Sequence, residues 1–233
     1  MNGAKIITLL TDFGLQDIYV GVMKGVISPI NPDISIVDIT HDLPPQDIAA
    51  GSFALLSAYN YFPANTVHLA VIDPGVGSSR RAVAIEFDSG FLVGADNGLF
   101  SGLLSQSSAK KVVSLDNPQY WRSQSSSSTF HGRDIFAPIA AHLASGVDIE
   151  KLGTAIDLES LISSDSPVVK VEKDKCIGCI QYIDRFGNLI TNISASDLIN
   201  GNLEVIIHKQ IIPLVATYSD RYKLPPAELF ACG

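Results

Sequence analysis

The sequence predicts a large N-terminal layered α/β domain with a mostly parallel sheet, followed by a small C-terminal all-β domain. Up to about residue 150, apolar segments of strand length alternate with helical patterns, as in layered α/β folds. After Leu161 only short strand segments separated by turn residues follow. We expect the α/β domain to span residues 1–162 and the β domain to span residues 167–233, with a serine-rich linker between them.

The strands of the first domain are short apolar segments rich in β-branched residues. We predict them at Lys5 to Leu10, Ile34 to Ile39, Val67 to Asp73, Ala82 to Phe87, Phe91 to Ala95 and Lys111 to Leu115. Around Asp88-Ser89-Gly90 two of them form either a hairpin or two neighbouring strands. Helices are predicted at Ile18 to Ile27, where Pro29 marks the end, at Asp47 to Tyr61, and at Asp134 to Ser145.

The strands of the second domain are separated by turn residues at 186–188 and 200–202. We predict them at residues 168–172, 176–183, 188–193, 203–207 and 211–217. Cys176 and Cys179 form one C-x-x-C pair without the two further ligands of a structural zinc site. In one strand the two thiols would point to opposite faces, so we interpret them as small core residues in a reducing cytoplasm.

Composition excludes several classes of protein. The net charge of −8, without clustered Lys and Arg, argues against a nucleic-acid surface. The apolar segment after Lys5 is too short for a signal peptide or a membrane span. We therefore expect a cytoplasmic enzyme or binding protein with a small-molecule ligand.

The most informative segment is the predicted strand that ends at Asp73, together with the turn after it. Gly75 and Gly77 allow the backbone to approach a bound group closely, and Arg80 follows. Open α/β sheets bind ligands at the carboxyl ends of their strands. A turn in which Asp73 only caps its own backbone is an equally good interpretation of this segment by itself.

Other acids follow or end predicted strands, so several of them should share one edge of the sheet. They are Asp12, Asp38, Asp73 and Asp96, with His41 and His131 nearby. Convergent carboxylates suit either a metal ion or the hydroxyl groups of a sugar. For Asp38 and Asp96 we favour an ordinary role in their own turns.

His131 begins a predicted helix directly after the serine-rich loop from Ser123 to Ser128. A single histidine is most often structural. However, Asp73 and Arg80 from the glycine-containing turn could join His131 in holding and polarising one water molecule.

Five motifs in order make the chain recognisable. They are TDFG at 11–14, IDPGVGSSRR at 72–81, ADNG at 95–98, FHGRDIFAP at 130–138 and IDRFGNLITN at 183–192. The set closely resembles the S-adenosyl-L-methionine hydroxide adenosyltransferases, relatives of the fluorinase and chlorinase. The resemblance implies hydrolysis of S-adenosyl-L-methionine to adenosine and L-methionine, with no cofactor and no metal.

The resemblance also implies roles for individual residues. The Asp, Arg and His of the family fall on Asp73, Arg80 and His131, which would activate the water. The halogenating relatives lose this set, so its retention favours water over halide. Asp12 resembles the acid that binds the ribose diol.

In the second domain the resemblance implies contacts from Asp184 to the methionine amino group, from Phe186 to the adenine face and from Asn188 to the adenine edge. On spacing alone we favour a hairpin turn in which Asp184 and Asn188 bind their own backbone. Family members usually continue past the equivalent of Phe230–Gly233 into a strand that completes the pocket. We therefore expect either a truncated or divergent member of the family, or a pocket completed by other residues.

The relatives form trimers with the active site between subunits, which implies a homotrimer here. Two alternatives stay open. One is a metal-dependent nucleoside hydrolase with Asp12, Asp38, His41 and Asp73 as ligands. The other is a non-catalytic protein that binds adenosine or S-adenosyl-L-methionine.

Overall fold

The computed structural model describes residues 5–164, 168–198 and 203–215, and the backbone of residues 231–232. The chain forms two compact units, Met1–Ser166 and Pro167–Gly233. The predicted turn at 200–202 and the end of the predicted strand at 211–217 lie outside the described residues. No helix within the described residues is both long enough and apolar enough to cross a membrane.

The first unit is built on one seven-stranded sheet in the order β2-β1-β3-β5-β4-β6-β7. Its strands are β1 (Ile6–Thr11), β2 (Ser35–Thr40), β3 (Thr66–Val71), β4 (Ala82–Glu86), β5 (Gly90–Ala95), β6 (Lys111–Ser114) and β7 (Thr154–Ala155). The strands β2, β1, β3 and β5 are parallel, and β4, β6 and β7 each run antiparallel to the preceding strand in this order. The predicted fold class is confirmed, with a sheet that is parallel on one side only.

Helices cover both faces of this sheet because alternate residues of each strand point to opposite sides. They are α1 (Tyr19–Ile30), α2 (Ile48–Tyr59), α3 (Ser101–Leu104) and α4 (Ala137–Ala144). Leu9 and Leu69 pack in one core cluster with residues of α1 and α4. On the opposite face His68 stacks 4.6 Å from the ring of Tyr59 in α2.

Two helix boundaries differ from the prediction. Helix α1 continues past Pro29 to Ile30. A proline in the last turn costs the helix only one hydrogen bond, and the Asn31 N–H still donates to the Ile27 carbonyl at 3.3 Å. The helix predicted from Asp134 instead begins as a π-helical turn, Gly132–Phe136, and becomes α-helical only in α4. Such π-helical turns occur frequently at functional sites.

The second unit consists of short strand pairs. They are β8 (Lys170–Val171) with β9 (Cys176–Ile177), β10 (Ile180–Ile183) with β11 (Leu189–Thr191), β12 (Val205–Ile207) with β13 (Gln210–Ile212), and β14 (Leu214–Val215) with β15 (Ala231–Cys232). The prediction of one strand over residues 176–183 is wrong. The strand breaks at Gly178 and Cys179, where Cys179 N–H donates to Asn192 Oδ1 at 2.8 Å.

Candidate active site

The sheet order brings the glycine turn, which we define as residues Asp73–Arg80, to one edge of the sheet. The turn follows β3 in the parallel part of the sheet. Strand β4 is antiparallel to β5 and pairs Ala82 with Ala95, so its first residue lies where β5 ends. Arg80 therefore returns to the edge that Asp73 occupies.

Asp73 and Arg80 form a buried, forked ion pair. Arg80 Nε donates to Asp73 Oδ1 at 2.9 Å, and Arg80 Nη2 donates to the other carboxylate oxygen. The two side chains are only 9% and 5% exposed. The Arg80 guanidinium also lies over the ring of Phe136, 5.4 Å from its centroid. These contacts hold the cation in one orientation.

His131 joins this pair from the π-helical turn. Its Nδ1 lies 2.7 Å from Arg80 Nη2. A guanidinium can only donate hydrogen bonds, so Nδ1 must accept, and the ring is neutral with its proton on Nε2. Burial and the charge of Arg80 lower the pKa of His131, against opposing effects of Asp73, Asp134 and a backbone hydrogen bond with Ser127. The structure thus brings Asp73, Arg80 and His131 into direct contact.

One donor of this group remains available. Arg80 Nη1 has no hydrogen bond to any of the described residues, whereas Nε and Nη2 are both engaged. A cationic N–H donor in a largely buried site can stabilise negative charge on an oxygen atom. The arrangement is therefore suited to binding a water molecule that develops hydroxide character.

Asp12 lies at the same edge, after the neighbouring strand β1. Its Oδ2 accepts the backbone N–H of Gln46 at 2.7 Å, and Oδ1 bonds to no described residue. Asp12 makes no hydrogen bond to the glycine turn or to His131. The preceding Thr11 is tied to His41 through a 2.8 Å contact between Thr11 Oγ1 and His41 Nδ1.

Asp38 and His41 belong to a separate network. Asp38 binds Lys24 Nζ at 2.6 Å and lies 3.1 Å from His41 Nε2. Burial raises the pKa of Asp38, but its interactions with Lys24 and His41 outweigh burial and leave that pKa below its ordinary value. Nowhere in the described ranges do three His, Cys, Asp or Glu side chains form a group that could hold a metal ion.

The interpretation of Asp38 and Asp96 as residues of their own turns is wrong. Asp38 makes the ion pairs above. Asp96 is buried and accepts Arg81 Nε and the Ile162 backbone N–H, both at 2.8 Å. The side chain that binds the backbone of this turn is that of the following Asn97, whose Oδ1 accepts the Leu99 N–H at 3.2 Å. Asp96 thereby fastens the end of the first unit to its sheet.

The residues predicted in the second unit lie in the turn between β10 and β11. Asp184 Oδ1 accepts the backbone N–H groups of Phe186 and Asn188 at 2.9 and 2.8 Å, and Oδ2 accepts Asn188 Nδ2 at 2.6 Å. These bonds, the Asn188 side-chain amide first, lower the pKa of Asp184. The ring of Phe186 is 91% exposed. The turn interpretation describes Asp184 and Asn188 in this unit, and their contacts with a substrate stay a prediction.

Sequence reasoning missed Phe136 and Asp134 as parts of the site. Phe136 has no charged or reactive group to single it out, and only the fold places it beneath Arg80. For Asp134 the sequence predicts only the first residue of a helix. The adjacent Arg133 could have indicated that Asp134 is paired. The two side chains form a forked ion pair at 2.6 and 2.7 Å.

Comparison with known proteins identifies the family of this chain. Residues 7–153 match the SAM hydroxide adenosyltransferase N-terminal domain, and residues 178–232 match the C-terminal domain of the same family. The chain belongs to the SAM hydroxide adenosyltransferase family. The predicted resemblance is thereby confirmed.

Several individual proteins match most of the chain. An (R)-S-adenosyl-L-methionine hydrolase from Salinispora tropica is 38% identical over 96% of this chain and 84% of that protein. A crystal structure of an uncharacterized conserved protein from Thermotoga maritima superposes with a TM-score of 0.76 at 38% identity, over 80% of this chain and 71% of the other. A fluorinase from Nocardia brasiliensis is 27% identical over 84% of this chain and 74% of its own, so the predicted relation to the fluorinase is also confirmed.

Proposed function

We propose that this SAM hydroxide adenosyltransferase hydrolyses S-adenosyl-L-methionine to adenosine and L-methionine. Membership of the family and the similarity to an (R)-S-adenosyl-L-methionine hydrolase support this activity. The single observation that carries it is the direct contact among Asp73, Arg80 and His131, which join two separate loops around one available cationic donor.

The reaction suits a site of this kind. The water oxygen forms a bond to C5′ of the ribose while the C5′–sulfur bond breaks, and sulfur keeps the electron pair as the neutral thioether of L-methionine. The leaving group therefore needs no proton. The difficult partner is water, whose pKa is about 15.7 in bulk.

We assign the activation of water to Arg80, with Asp73 and His131 holding it. Arg80 Nη1 stabilises the negative charge that develops on the attacking oxygen, and Asp73 fixes the guanidinium through two hydrogen bonds. As the bond to C5′ forms, the attacking water loses one proton, and we assign that proton to Nδ1 of His131. Arg80 Nη2 must first release its hydrogen bond to this nitrogen. In-line placement of water, C5′ and sulfur contributes the rest of the acceleration.

The remaining assignments concern binding. We assign Asp12 to the ribose diol, because its Oδ1 is available and a carboxylate can accept two hydroxyl groups. We assign Asp184 to the methionine amino group, Phe186 to the adenine face and Asn188 to the adenine edge. The 91% exposure of Phe186 supports a stacking role.

We further propose a homotrimer in the cytoplasm, built from an α/β domain of residues 1–162 and a β domain of residues 167–233. Cys176 and Cys179 are free thiols, which suits a reducing compartment. Light scattering coupled to gel filtration would test the assembly, with a mass near three times that of the chain as the expected result and a monomer mass as the contradicting one.

Hydrolysis in ¹⁸O-labelled water tests the proposed reaction. We expect adenosine and L-methionine in equal amounts, with ¹⁸O in the 5′-hydroxyl of adenosine, and no change of rate on addition of a chelator. Release of free adenine together with chelator sensitivity would instead indicate a metal-dependent nucleoside hydrolase. Tight binding of adenosine without any product would indicate a binding protein.

A further inference from the structure

A buried carboxylate beside the site has no role in the reaction as proposed. Asp134 is only 2% exposed, yet it is bound by Arg133 through Nε at 2.6 Å and Nη2 at 2.7 Å, and by Arg122 Nη1 at 3.4 Å. The hydrogen bonds from Arg133 lower the pKa of Asp134 in spite of its burial. The carboxylate is therefore ionised at neutral pH.

Asp134 also ties down the serine loop, which we define as Ser123–Ser128. The backbone N–H of Ser127 donates to Asp134 Oδ2 at 2.9 Å. The backbone N–H of Arg122 donates to the Asp134 carbonyl oxygen, also at 2.9 Å. One residue thus binds both ends of a loop whose composition favours flexibility.

The anchored loop in turn rests on the glycine turn. A Cβ placed on Gly77 would lie 2.2 Å from the Ser128 carbonyl oxygen, so only glycine permits this approach. Gly77 also has a φ of +78°, which disfavours other residues. Three residues after Ser128 the chain reaches His131. The backbone between them is held by Ser127 Oγ, which accepts the N–H groups of Thr129 and Phe130 at 3.1 Å each.

We propose that Asp134 is a positioning residue for the hydrolysis: by holding Ser127 it seats the serine loop on Gly77 and keeps the His131 ring against Arg80. This inference rests on the proposed function. In this proposal Asp134 acts through the loop and not on the water or the substrate directly. The carboxylate thus holds the serine loop in one position beside the site.

The position of the His131 ring tests the proposal without any need for turnover. The variant is Asp134→Asn, and the matched control is Asp148→Asn, an exposed acid that accepts one backbone N–H from Glu150 at 3.0 Å. The pKa of His131 is followed by NMR titration, with its ring signal assigned by its absence from His131→Gln. The charged groups that influence this ring are Arg80, Asp73 and Asp134.

The direction of the change separates positioning from simple electrostatics. If the ring leaves its site, its pKa rises toward the ordinary value, because it escapes burial and the charge of Arg80. If Asp134 acts by charge alone, its loss lowers the pKa of His131 further. We expect a rise in Asp134→Asn and no change in Asp148→Asn. A fall or an unchanged value in Asp134→Asn would overturn the proposal.

A second pair of variants tests the seat of the loop and keeps the carboxylate intact. Gly77→Ala and Gly146→Ala both place alanine at positive φ, +78° and +89°, but only Gly77 has an atom in the way. We expect Gly77→Ala to raise the pKa of His131 as Asp134→Asn does, and Gly146→Ala to leave it unchanged. Equal behaviour of the two alanine variants would contradict the seat.

Activity provides the last readout. We expect Asp134→Asn to lower kcat by about tenfold or more with KM changed less, since displacement of a catalytic group affects mainly the reacting state. If the wild-type chain does not hydrolyse S-adenosyl-L-methionine, the proposed function fails, while the titration still decides whether Asp134 positions His131. An unchanged kcat in Asp134→Asn, with an active wild type, would overturn the positioning role.

Discussion

Two turns of this chain each contain an aspartate followed by glycine, and they use the carboxylate differently. Asp73 binds a guanidinium that the turn brings back to it, and that cation reaches His131, 51 residues further along the chain. Asp184 binds its own turn through Phe186 and Asn188. The first turn therefore joins distant parts of the sequence into one group, whereas the second is a local structure. This difference supports our proposal that the first turn takes part in the reaction and the second only in binding.

Replacement of Arg80 should produce the largest effect. In Arg80→Lys the charge stays, but a lysine cannot bind Asp73 and His131 together as the planar fork does. We expect kcat for S-adenosyl-L-methionine to fall by about a hundredfold, the scale for loss of a donor to a developing oxyanion. The neighbouring Arg81, which binds Asp96 and Ser160, provides the control. Arg81→Lys should keep a kcat close to that of wild type, and equal losses in the two variants would contradict a special role for Arg80.

Acid should destabilise the two units in different pH ranges. Burial lowers the pKa of His68, a residue of strand β3 in the first unit, to about 4 from the ordinary 6.5. As pH falls, the unfolded chain binds this proton first, so stability present above pH 6.5 is lost down to about pH 4, by about 3 kcal/mol. The lowered pKa of Asp184 affects stability at lower pH, because the stability that this carboxylate contributes to the second unit is lost only below about pH 3.8.

The single tryptophan allows the first unit to be followed alone. Trp121 lies in that unit, so its fluorescence in urea titrations at pH 7 and pH 4.5 should report the loss. The loss should be smaller in His68→Gln. Amide NMR signals of Phe186 and Asn188 should remain in place over the same range. A first unit equally stable at both pH values would contradict the buried, neutral state of His68.

His131→Ala should reduce kcat by at least about tenfold, the lower range for a positioned proton-transfer group. Adenosine affinity should change by less than about threefold, because the ring faces Arg80 and not the ribose-binding acid in the proposed arrangement. His142 is a good control, since it is also a partly buried histidine with a lowered pKa, but its ring makes an edge-to-face contact with Tyr120, 5.1 Å between centroids. An unchanged rate in His131→Ala would remove His131 from the mechanism.

The same contrast explains what sequence reasoning could predict. The strands β1 to β6 and the meeting of Asp73 with Arg80 follow from apolar periodicity and from the position of strand ends. The ion pair of Asp38 with Lys24 and the hydrogen bond that Asp96 accepts from the Ile162 N–H did not follow, because Lys24 and Ile162 come from segments that only the folded sheet brings near. The π-helical turn was also missed, since its residues are compatible with an ordinary helix and it contains the buried Asp134 and Phe136, whose surroundings only the fold defines.

The smallest expected effect belongs to the second turn, and it tests whether Asp184 does more than stabilise that turn. Asp184→Asn keeps an oxygen acceptor for the N–H groups of Phe186 and Asn188 but loses the charge that would bind the methionine amino group. We expect KM for S-adenosyl-L-methionine to rise about fivefold, the scale of an exposed ion pair, with kcat nearly unchanged. Adenosine lacks the amino acid, so its affinity should stay the same. Asp197→Asn, which alters an acid that binds Ser194 in the same unit, should change neither value. If Asp184→Asn leaves KM unchanged, the carboxylate serves only its own turn, and the contrast between the two turns becomes complete.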